Sequence, residues 1–345
     1  MNKFLPTGVF CCFFCYLCAQ IDSSDTGHWA QAHVYKNPVL PLAAPQQIYR
    51  LYFDDLNSQP DSIWAELGKC SNLKQLSLEG DFFATMPPEL LAIAADLEDL
   101  AIVANSRVNW GDFWDKIPRF KRLKSLSLTY CDFGANLPKG FSRLNKTKVK
   151  NLDLSNSQFK ANFSTDFSAM KRIETLNLSS CGLDSLPPKF HKLKKLQHLD
   201  LGIHPEGSPN LLSELPADFY KLRQLQTLSL AENPIKKLPD NFAQLRQLQN
   251  INLADCSQLN PAHTLRQLTT MNNLVEINLA NVPLRVLSGE VKNWGNLRHL
   301  DISGCQLNNL PPALFKLSSI ETINWDGNSF APDELLRYQN TLKQR

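Results

Sequence analysis

The sequence has no large excess of charge of either sign, since its 345 residues include 36 Lys and Arg against 33 Asp and Glu. The composition gives no sign of a disordered chain, and it argues against a nucleic-acid-binding domain, which usually carries a clustered basic excess. After residue 19, no apolar run approaches the roughly 20 residues of a membrane-spanning helix. Neither GxSxG nor a P-loop motif occurs, so two common signs of hydrolytic and nucleotide-binding sites are missing.

The first 19 residues have the pattern of a secretory signal peptide. A cationic start that ends at Lys3 precedes the uncharged, largely apolar run Phe4–Ala19, and the small residue Ala19 suits a cleavage site. We therefore expect export to the periplasm, the cell surface or the medium, with no membrane span in the mature chain. Cys18 follows Tyr16 and Leu17, whereas a lipoprotein cysteine needs small residues before it. Lipid attachment is the weaker alternative.

A repeat with the spacing LxxLxL runs through residues 48–330. The twelve copies begin at Ile48, Leu73, Leu97, Leu123, Val149, Ile173, Leu196, Leu225, Leu248, Leu274, Leu297 and Ile320. From Leu73 onward the starts are 23 to 29 residues apart, and such a period indicates a stacked repeat architecture. The alternating LxL predicts a strand. One unit cannot bury its own leucines, but stacking lets each unit cover the next.

The second half of several repeats has the pattern LPxxF. It occurs at 186–190, 215–219 and 238–242, and at 310–314 with Leu in the last position. Proline suits the first position of a short helical turn because it has no N–H to leave unpaired there. The sequence resembles the leucine-rich-repeat family, specifically its 23-residue LPxxF class that is common in bacterial exported proteins.

This resemblance implies an α/β solenoid. We expect a curved parallel β-sheet on the concave face and short helices or irregular segments on the convex face. The predicted organisation is a signal peptide at 1–19, an N-terminal flank or cap at 20–47, a solenoid of about 12 repeats at 48–330 and a C-terminal cap at 331–345.

The resemblance also implies a ladder position, three residues after the last leucine of LxxLxL, where Asn or Cys bonds the turn backbone. It holds Asn105, Cys131, Cys181, Asn233, Cys256, Cys305 and Asn328, with departures at Asp81, Ser157, His204 and Val282. Cysteines two repeats apart would be separated by about 10 Å, more than the roughly 7 Å limit of bridged Cα pairs. Together with Cys70, at a core position, they are expected to be buried free thiols.

The residues between the leucines are expected to point to solvent on the concave side, here called the strand face. Four columns of this face hold eleven carboxylates and one cation, Arg50. The predicted partner-binding residues are Tyr130, Asp153, Asn177, His198, Asp200, Ser229, Asn252, Glu276, Asn278, His299 and Asp301. A negative face would steer a basic protein or peptide partner and repel nucleic acid. The alternatives are a glycan or cell-envelope polymer as partner, or polar residues that only solvate the sheet.

We expect no enzyme activity, cofactor or metal site. Asp153 and Asp200 share a column at a separation near that of inverting glycosidases, but an open sheet would offer no apolar pocket to raise either pKa. His198 and His299 stand four repeats apart, roughly 19 Å, which is too far to share a metal ion. A hydrolase is the alternative of a different class.

Two irregular segments are candidates for further contacts. The sixth full repeat has 29 residues and carries the insert Gly202–Asn210 directly after its strand. Inserts usually map to loops near a binding face. The return segment with Trp110, Phe113 and Trp114 lacks the LPxxF order, and it either packs in the core or exposes a hydrophobic patch for a second partner.

Overall fold

The computed structural model describes residues 31–38, 40–54, 60–133, 141–158, 169–204 and 207–343. The predicted signal peptide at 1–19 lies outside these residues. The chain forms two compact units. The first extends to Cys181 and includes His204–Ser208, and the second contains Gly182–Ile203 and the chain from Pro209 onward.

The first unit contains seven parallel strands, whose order in the sheet follows their order in the chain. They are β1 (Val34–Lys36), β2 (Arg50–Phe53), β3 (Gln75–Glu79), β4 (Asp99–Val103), β5 (Ser125–Thr129), β6 (Asn151–Asp153) and β7 (Thr175–Asn177). The α-helices are α1 (Pro60–Leu67), α2 (Pro88–Ile93) and α3 (Trp110–Lys116), and 3₁₀ turns cover Pro45–Gln47, Ile117–Arg119 and Phe141–Lys146.

The second unit contains six parallel strands in the same sequential order. They are β8 (His198–Asp200), β9 (Thr227–Ser229), β10 (Asn250–Asn252), β11 (Glu276–Asn278), β12 (His299–Asp301) and β13 (Thr322–Asn324). The return segments form α4 (Pro261–Leu268) and the 3₁₀ turns Phe190–Lys192, Phe219–Lys221, Phe242–Gln244, Gly289–Asn293 and Leu314–Lys316, and α5 (Pro332–Lys343) ends the unit.

The repeat leucines form the core, as the LxxLxL spacing predicts. Leu228 pairs in register with Leu199 and Ile251, and all three side chains are buried. The LPxxF segments make the expected short turns, because the N–H of Phe219 and of Phe242 each donates to the proline carbonyl three residues earlier, at 2.9 Å. The phenylalanines are buried as well, so the alternating strand and the 3₁₀ turn fill the core from opposite sides.

The flanking segments extend the fold at both ends. Val34–Lys36, inside the segment predicted as an N-terminal flank, forms β1 and pairs with β2 from Val34↔Arg50 onward. At the other end, the ring of Tyr338 on α5 stacks on Phe315 at 4.9 Å, and its hydroxyl accepts the Leu310 N–H at 2.9 Å. A terminal helix in this position covers apolar surface that no further repeat would bury.

The five cysteines that the structure describes, Cys70 and the four of the ladder, are free, buried thiols, as predicted. In the ladder, Sγ of Cys181, Cys256 and Cys305 lies 3.1, 3.2 and 3.0 Å from the carbonyl oxygens of Leu154, Leu230 and Leu279. Ser157 departs from the Asn/Cys rule, yet its hydroxyl donates to the Leu128 carbonyl at 2.8 Å. Each side chain therefore satisfies a carbonyl group of the preceding repeat that the strands leave unpaired.

The ladder position after β8 is filled by Asn210, and the prediction of His204 there is wrong. Nδ2 of Asn210 donates to the Leu201 carbonyl at 2.8 Å, and Oδ1 accepts the Leu183 N–H at 2.9 Å. Six residues separate Asn210 from the expected position. The 29-residue repeat is thus a 23-residue repeat with six extra residues placed between the strand and the ladder.

The unusual aromatic return segment packs in the core. Phe113 and Trp114 are buried, and the Trp114 ring lies 4.5 Å from that of Phe141. Trp110 is half-buried against Phe133, and its Nε1 donates to a backbone carbonyl at 3.0 Å. The alternative of an exposed hydrophobic patch does not hold for Phe113 and Trp114.

Candidate functional site

The central column of the strand face is a row of side-chain-to-backbone turns. In seven of the repeats, Oδ1 of an Asp or Asn accepts the backbone N–H two residues later. The pairs are Asp153–Ser155, Asn177–Ser179, Asp200–Gly202, Asn252–Ala254, Asn278–Ala280, Asp301–Ser303 and Asn324–Asp326, at 2.8 to 3.3 Å. This bond ends the strand and starts the turn, which is a structural reason for Asp and Asn that the sequence prediction did not include.

Two predicted site residues do not face solvent. Asn177 and Asn278 are 6% and 4% exposed, which contradicts the expectation that every residue of the column points outward. Asn177 Oδ1 accepts a second bond, from the Ser179 hydroxyl at 2.8 Å. Their part in the column is therefore to hold the turn, and the half-buried Asn252 makes the same turn bond.

The strand face of the second unit carries six carboxylates and no Lys or Arg in its four columns. They are Asp200, Glu232, Asp255, Glu276, Asp301 and Asp326. Register pairing places Ser229 between Asp200 and Asn252, and Asn278 between Asn252 and Asp301. Successive members of a column are thus one strand spacing apart, about 4.8 Å.

Two of these carboxyl groups have pKa values above the usual range. Burial raises the pKa of Glu232, and the nearby negative charge of Asp255 raises it further. Burial also raises the pKa of Glu276, although a bond from Asn250 Nδ2 at 2.8 Å opposes this effect. Burial and a neighbouring negative charge both favour the protonated form of a carboxyl group. The surroundings of Glu232 and Glu276 therefore compensate their negative charge only in part.

The two predicted histidines occupy the column before the central one. His198 Nδ1 lies 3.1 Å from Thr227 Oγ1, and His299 Nδ1 lies 2.9 Å from Thr322 Oγ1. His299 Nε2 is also 3.8 Å from a Glu321 carboxylate oxygen. Each imidazole is therefore oriented by the threonine of the next strand.

Positive side chains lie beside the carboxylates at the start of the first unit. Lys36 Nζ on β1 is 3.0 Å from Asp54 Oδ2 and 5.0 Å from the centre of the Tyr52 ring. Hydrogen bonds from Asn37 and Lys36, and the charge of Lys36, lower the pKa of Asp54. The sequence prediction counted only Arg50 as a cation here, because it did not place β1 in the sheet.

His204 and Gly207 of the insert belong to the first unit and contact its residues. The His204 N–H donates to Ser180 Oγ at 2.7 Å, and His204 Nδ1 lies 3.5 Å from the hydroxyl of Tyr130, a predicted site residue that is 39% exposed. Gly207 lies so close that an added Cβ would be 2.2 Å from Asn156 Oδ1. The insert therefore contacts Tyr130, and only a glycine fits at its closest approach.

The expectation that the open sheet would raise the pKa of neither Asp153 nor Asp200 is wrong for Asp153. Burial raises the pKa of Asp153, against the opposing effects of hydrogen bonds from Ser155 and the charge of His204. Burial also raises the pKa of Asp99, to about 6. Asp153 lies in the first unit and Asp200 in the second. Within the described residues, no group of three or more His, Cys, Asp and Glu side chains could hold a metal ion.

Three stretches of the chain, residues 172–193, 224–245 and 296–317, match the family model of the Leucine Rich Repeat. No curated protein matches the chain. A solved leucine-rich-repeat protein of Leptospira interrogans has a TM-score of 0.58 and 21% identity over 87% of this chain and 89% of its own. An internalin of Listeria monocytogenes has a TM-score of 0.57 and 17% identity over 84% of this chain and 78% of its own.

Toll, in the structure of the Toll–Spätzle complex of Drosophila, has a TM-score of 0.62 and 21% identity over 81% of this chain and 36% of its own. Identities of this size establish the fold and nothing closer. The chain carries leucine-rich repeats and folds as a leucine-rich-repeat solenoid. Solenoids of this class commonly bind proteins on their extended surfaces and are typically not enzymes. No helix among the described residues is both long and apolar enough to cross a bilayer.

Proposed function

We propose that the protein is an exported, non-enzymatic binding module that holds a basic protein or peptide on the strand face of the second unit. The observation that carries this proposal is the row of six carboxylates with no Lys or Arg among them. Burial and the nearby negative charge of Asp255 raise the pKa of Glu232, so a cation bound beside these two carboxyl groups would stabilise their charged form. A basic segment would supply the missing countercharge and would be steered to this face.

The turn bonds of the central column determine which variants test the proposal. An Asp→Lys change would remove the acceptor for the Gly202 or Ser303 N–H as well as the charge, so a loss of binding could not be separated from a loss of structure. Asn keeps the oxygen that accepts the turn bond and removes the charge, and Asp301→Asn also loses the bond that Asp301 Oδ2 accepts from Asn324 Nδ2 at 3.0 Å. The test variant is therefore Asp200→Asn, Glu232→Gln, Asp255→Asn and Asp301→Asn together.

A matched control removes four exposed carboxylates that lie outside the four columns. It combines Asp184→Asn, Glu214→Gln, Asp240→Asn and Glu290→Gln. Wild type and both variants are immobilised and used to capture partners from secreted and surface extracts, which are identified by mass spectrometry and eluted with increasing salt. We expect basic partners that the wild type and the control retain, that salt releases, and that the face variant loses.

A partner that all three proteins retain equally would refute the assignment to this face. A captured glycan or cell-envelope polymer would favour the second candidate, since amide and hydroxyl groups such as Asn252 and Ser229 also suit sugar hydroxyls. The hydrolase alternative has one supporting observation, the raised pKa of Asp153. It predicts turnover of a chromogenic glycoside that Asp153→Asn abolishes, and we expect no such turnover.

A further inference from the structure

The starts of three adjacent strands in the first unit carry a cluster of cations that the proposed function does not use. We define this basic edge as Lys121, Arg122, Lys124, Lys146, Lys148, Lys150, Lys171 and Arg172. We propose that the basic edge binds an acidic polysaccharide that runs across the starts of β5, β6 and β7. This inference does not depend on the proposed function, because the basic edge belongs to the first unit and the carboxylates of that proposal belong to the second.

The backbone places part of the basic edge in a regular column. The Lys150 N–H donates to the Lys124 carbonyl at 2.9 Å, the Lys124 N–H donates to the Glu98 carbonyl at 2.8 Å, and the Glu174 N–H donates to the Lys150 carbonyl at 2.8 Å. Residues linked in this way follow each other at the strand spacing of about 4.8 Å. Lys124 and Lys150 therefore lie one strand spacing apart, between Glu98 and Glu174 in the same column.

A second column lies in the turns directly before the strands. Arg122, Lys148 and Arg172 each precede the first apolar residue of LxxLxL in three successive repeats, and all three are exposed. Arg172 Nη1 donates to the Thr147 carbonyl of the preceding repeat at 2.9 Å. That bond holds the guanidinium across the gap between two repeats, in line with the column.

The positive charge of the basic edge is only partly neutralised. Three carboxylates pair with it: Asp96 with Arg122 at 2.7 Å, Glu98 with Lys124 at 3.1 Å and Glu174 with Lys150 at 3.3 Å. Among the residues that the structure describes, the other five cations of the edge form no ion pair with a carboxylate. Their summed field attracts an anionic ligand and is strongest along the row.

The surroundings favour a polysaccharide over a nucleic acid. Among the described residues, the aromatic side chains nearest in sequence to this edge are Phe120 and Phe141, and both are fully buried. They offer no exposed ring on which bases could stack. A linear acidic polysaccharide needs only cations at a regular spacing, which Arg122, Lys148 and Arg172 of the second column provide. A folded acidic protein would have to match an extended row of charges with an equally regular surface.

The test uses the full chain and heparin, a sulfated polysaccharide, as the probe. The edge variant is Lys121→Gln, Lys148→Gln and Lys171→Gln, three exposed lysines without carboxylate partners. The matched control is Lys236→Gln, Arg246→Gln and Lys316→Gln, which removes three exposed cations of the second unit for which the described residues likewise hold no ion pair. Uncharged dextran and duplex DNA are the comparison ligands, and chemical denaturation establishes that both variants retain wild-type stability.

We expect salt-dependent binding of heparin and none of dextran. A lysine near an anionic surface contributes about fivefold in affinity, so the edge variant should bind heparin about a hundredfold more weakly, while the control stays within a few-fold of wild type. Equal losses in both variants would overturn the proposal, since net charge alone would then explain binding. Absence of heparin binding, or tighter binding of duplex DNA than of heparin at the same salt concentration, would overturn it too.

Discussion

Replacement of Asn210 by alanine tests whether the insert displaces the ladder position. Asn210 is 0% exposed, and its amide bonds both the Leu201 carbonyl and the Leu183 N–H. Because the Leu201 carbonyl also accepts a bond from Asn233 at 2.8 Å, it stays paired in the variant. Among the described residues, the Leu183 N–H has no acceptor other than Asn210 Oδ1. The variant would leave this N–H without a hydrogen bond inside the protein.

These contacts set the size of the effect. A buried backbone N–H without a partner costs about 1–3 kcal/mol, and the lost bond to the Leu201 carbonyl adds about 0.5–1.5 kcal/mol. Asn210→Ala should therefore lower the free energy of unfolding by roughly 2–4 kcal/mol. His204→Ala, at the position that sequence spacing assigns to the ladder, should change it by less than about 0.5 kcal/mol, since the half-buried His204 is not the ladder residue.

The measurement is equilibrium urea unfolding of both variants, followed by circular dichroism and tryptophan fluorescence. The two probes must give coincident transitions with an unchanged denaturant slope, because repeat arrays can lose two-state behaviour. A small effect of Asn210→Ala together with a large effect of His204→Ala would refute the reasoning. That result would show that His204, and not Asn210, occupies the ladder position.

Three further predictions concern the insert, the cysteines and the strand face. Gly207→Ala should push the insert away from Asn156, cost roughly 1–3 kcal/mol and speed proteolytic cleavage within residues 202–210; unchanged cleavage would contradict the close packing. Alkylation at pH 8.5, read peptide by peptide, should leave Cys256 and Cys305 unmodified until urea unfolds the protein, because burial raises the pKa of both thiols to about 12 and keeps them inaccessible. The pKa of Asp99 is about 6 when folded and about 3.9 when unfolded, so the folded state binds more protons between these values and stability falls as pH rises through this window. Asp99→Asn should make this slope shallower than in the wild type, which unfolding curves at pH 4 and pH 6.5 would measure.

The sequence was sufficient to predict those features that depend on local periodicity. The spacing of the leucines predicted the strands, the prolines predicted the 3₁₀ turns, and the distance between repeats predicted free cysteines. These predictions succeed because each depends on a few residues close together in the chain. Counting three residues from the last leucine failed after β8, because a fixed offset takes no account of inserted residues.

A second signal in the sequence could have located Asn210. Ladder residues such as Asn233 and Cys305 are followed two positions later by a buried aliphatic residue, and Leu212 stands at that place after Asn210. The raised pKa of Asp153 had no such signal. It depends on burial by residues that are distant in the sequence, which no local pattern encodes.

Because the ladder residue stands after the insert, the length of the insert does not affect the packing of the repeats. Since Asn210 restores both ladder bonds after six additional residues, the strand before the insert and the core behind it keep the geometry of an ordinary 23-residue repeat. Loops of other lengths and compositions could be grafted between Gly202 and Asn210, as long as they end in an asparagine followed by a leucine two residues later. The same repeat framework could in this way present exchangeable recognition loops next to the exposed ring of Tyr130.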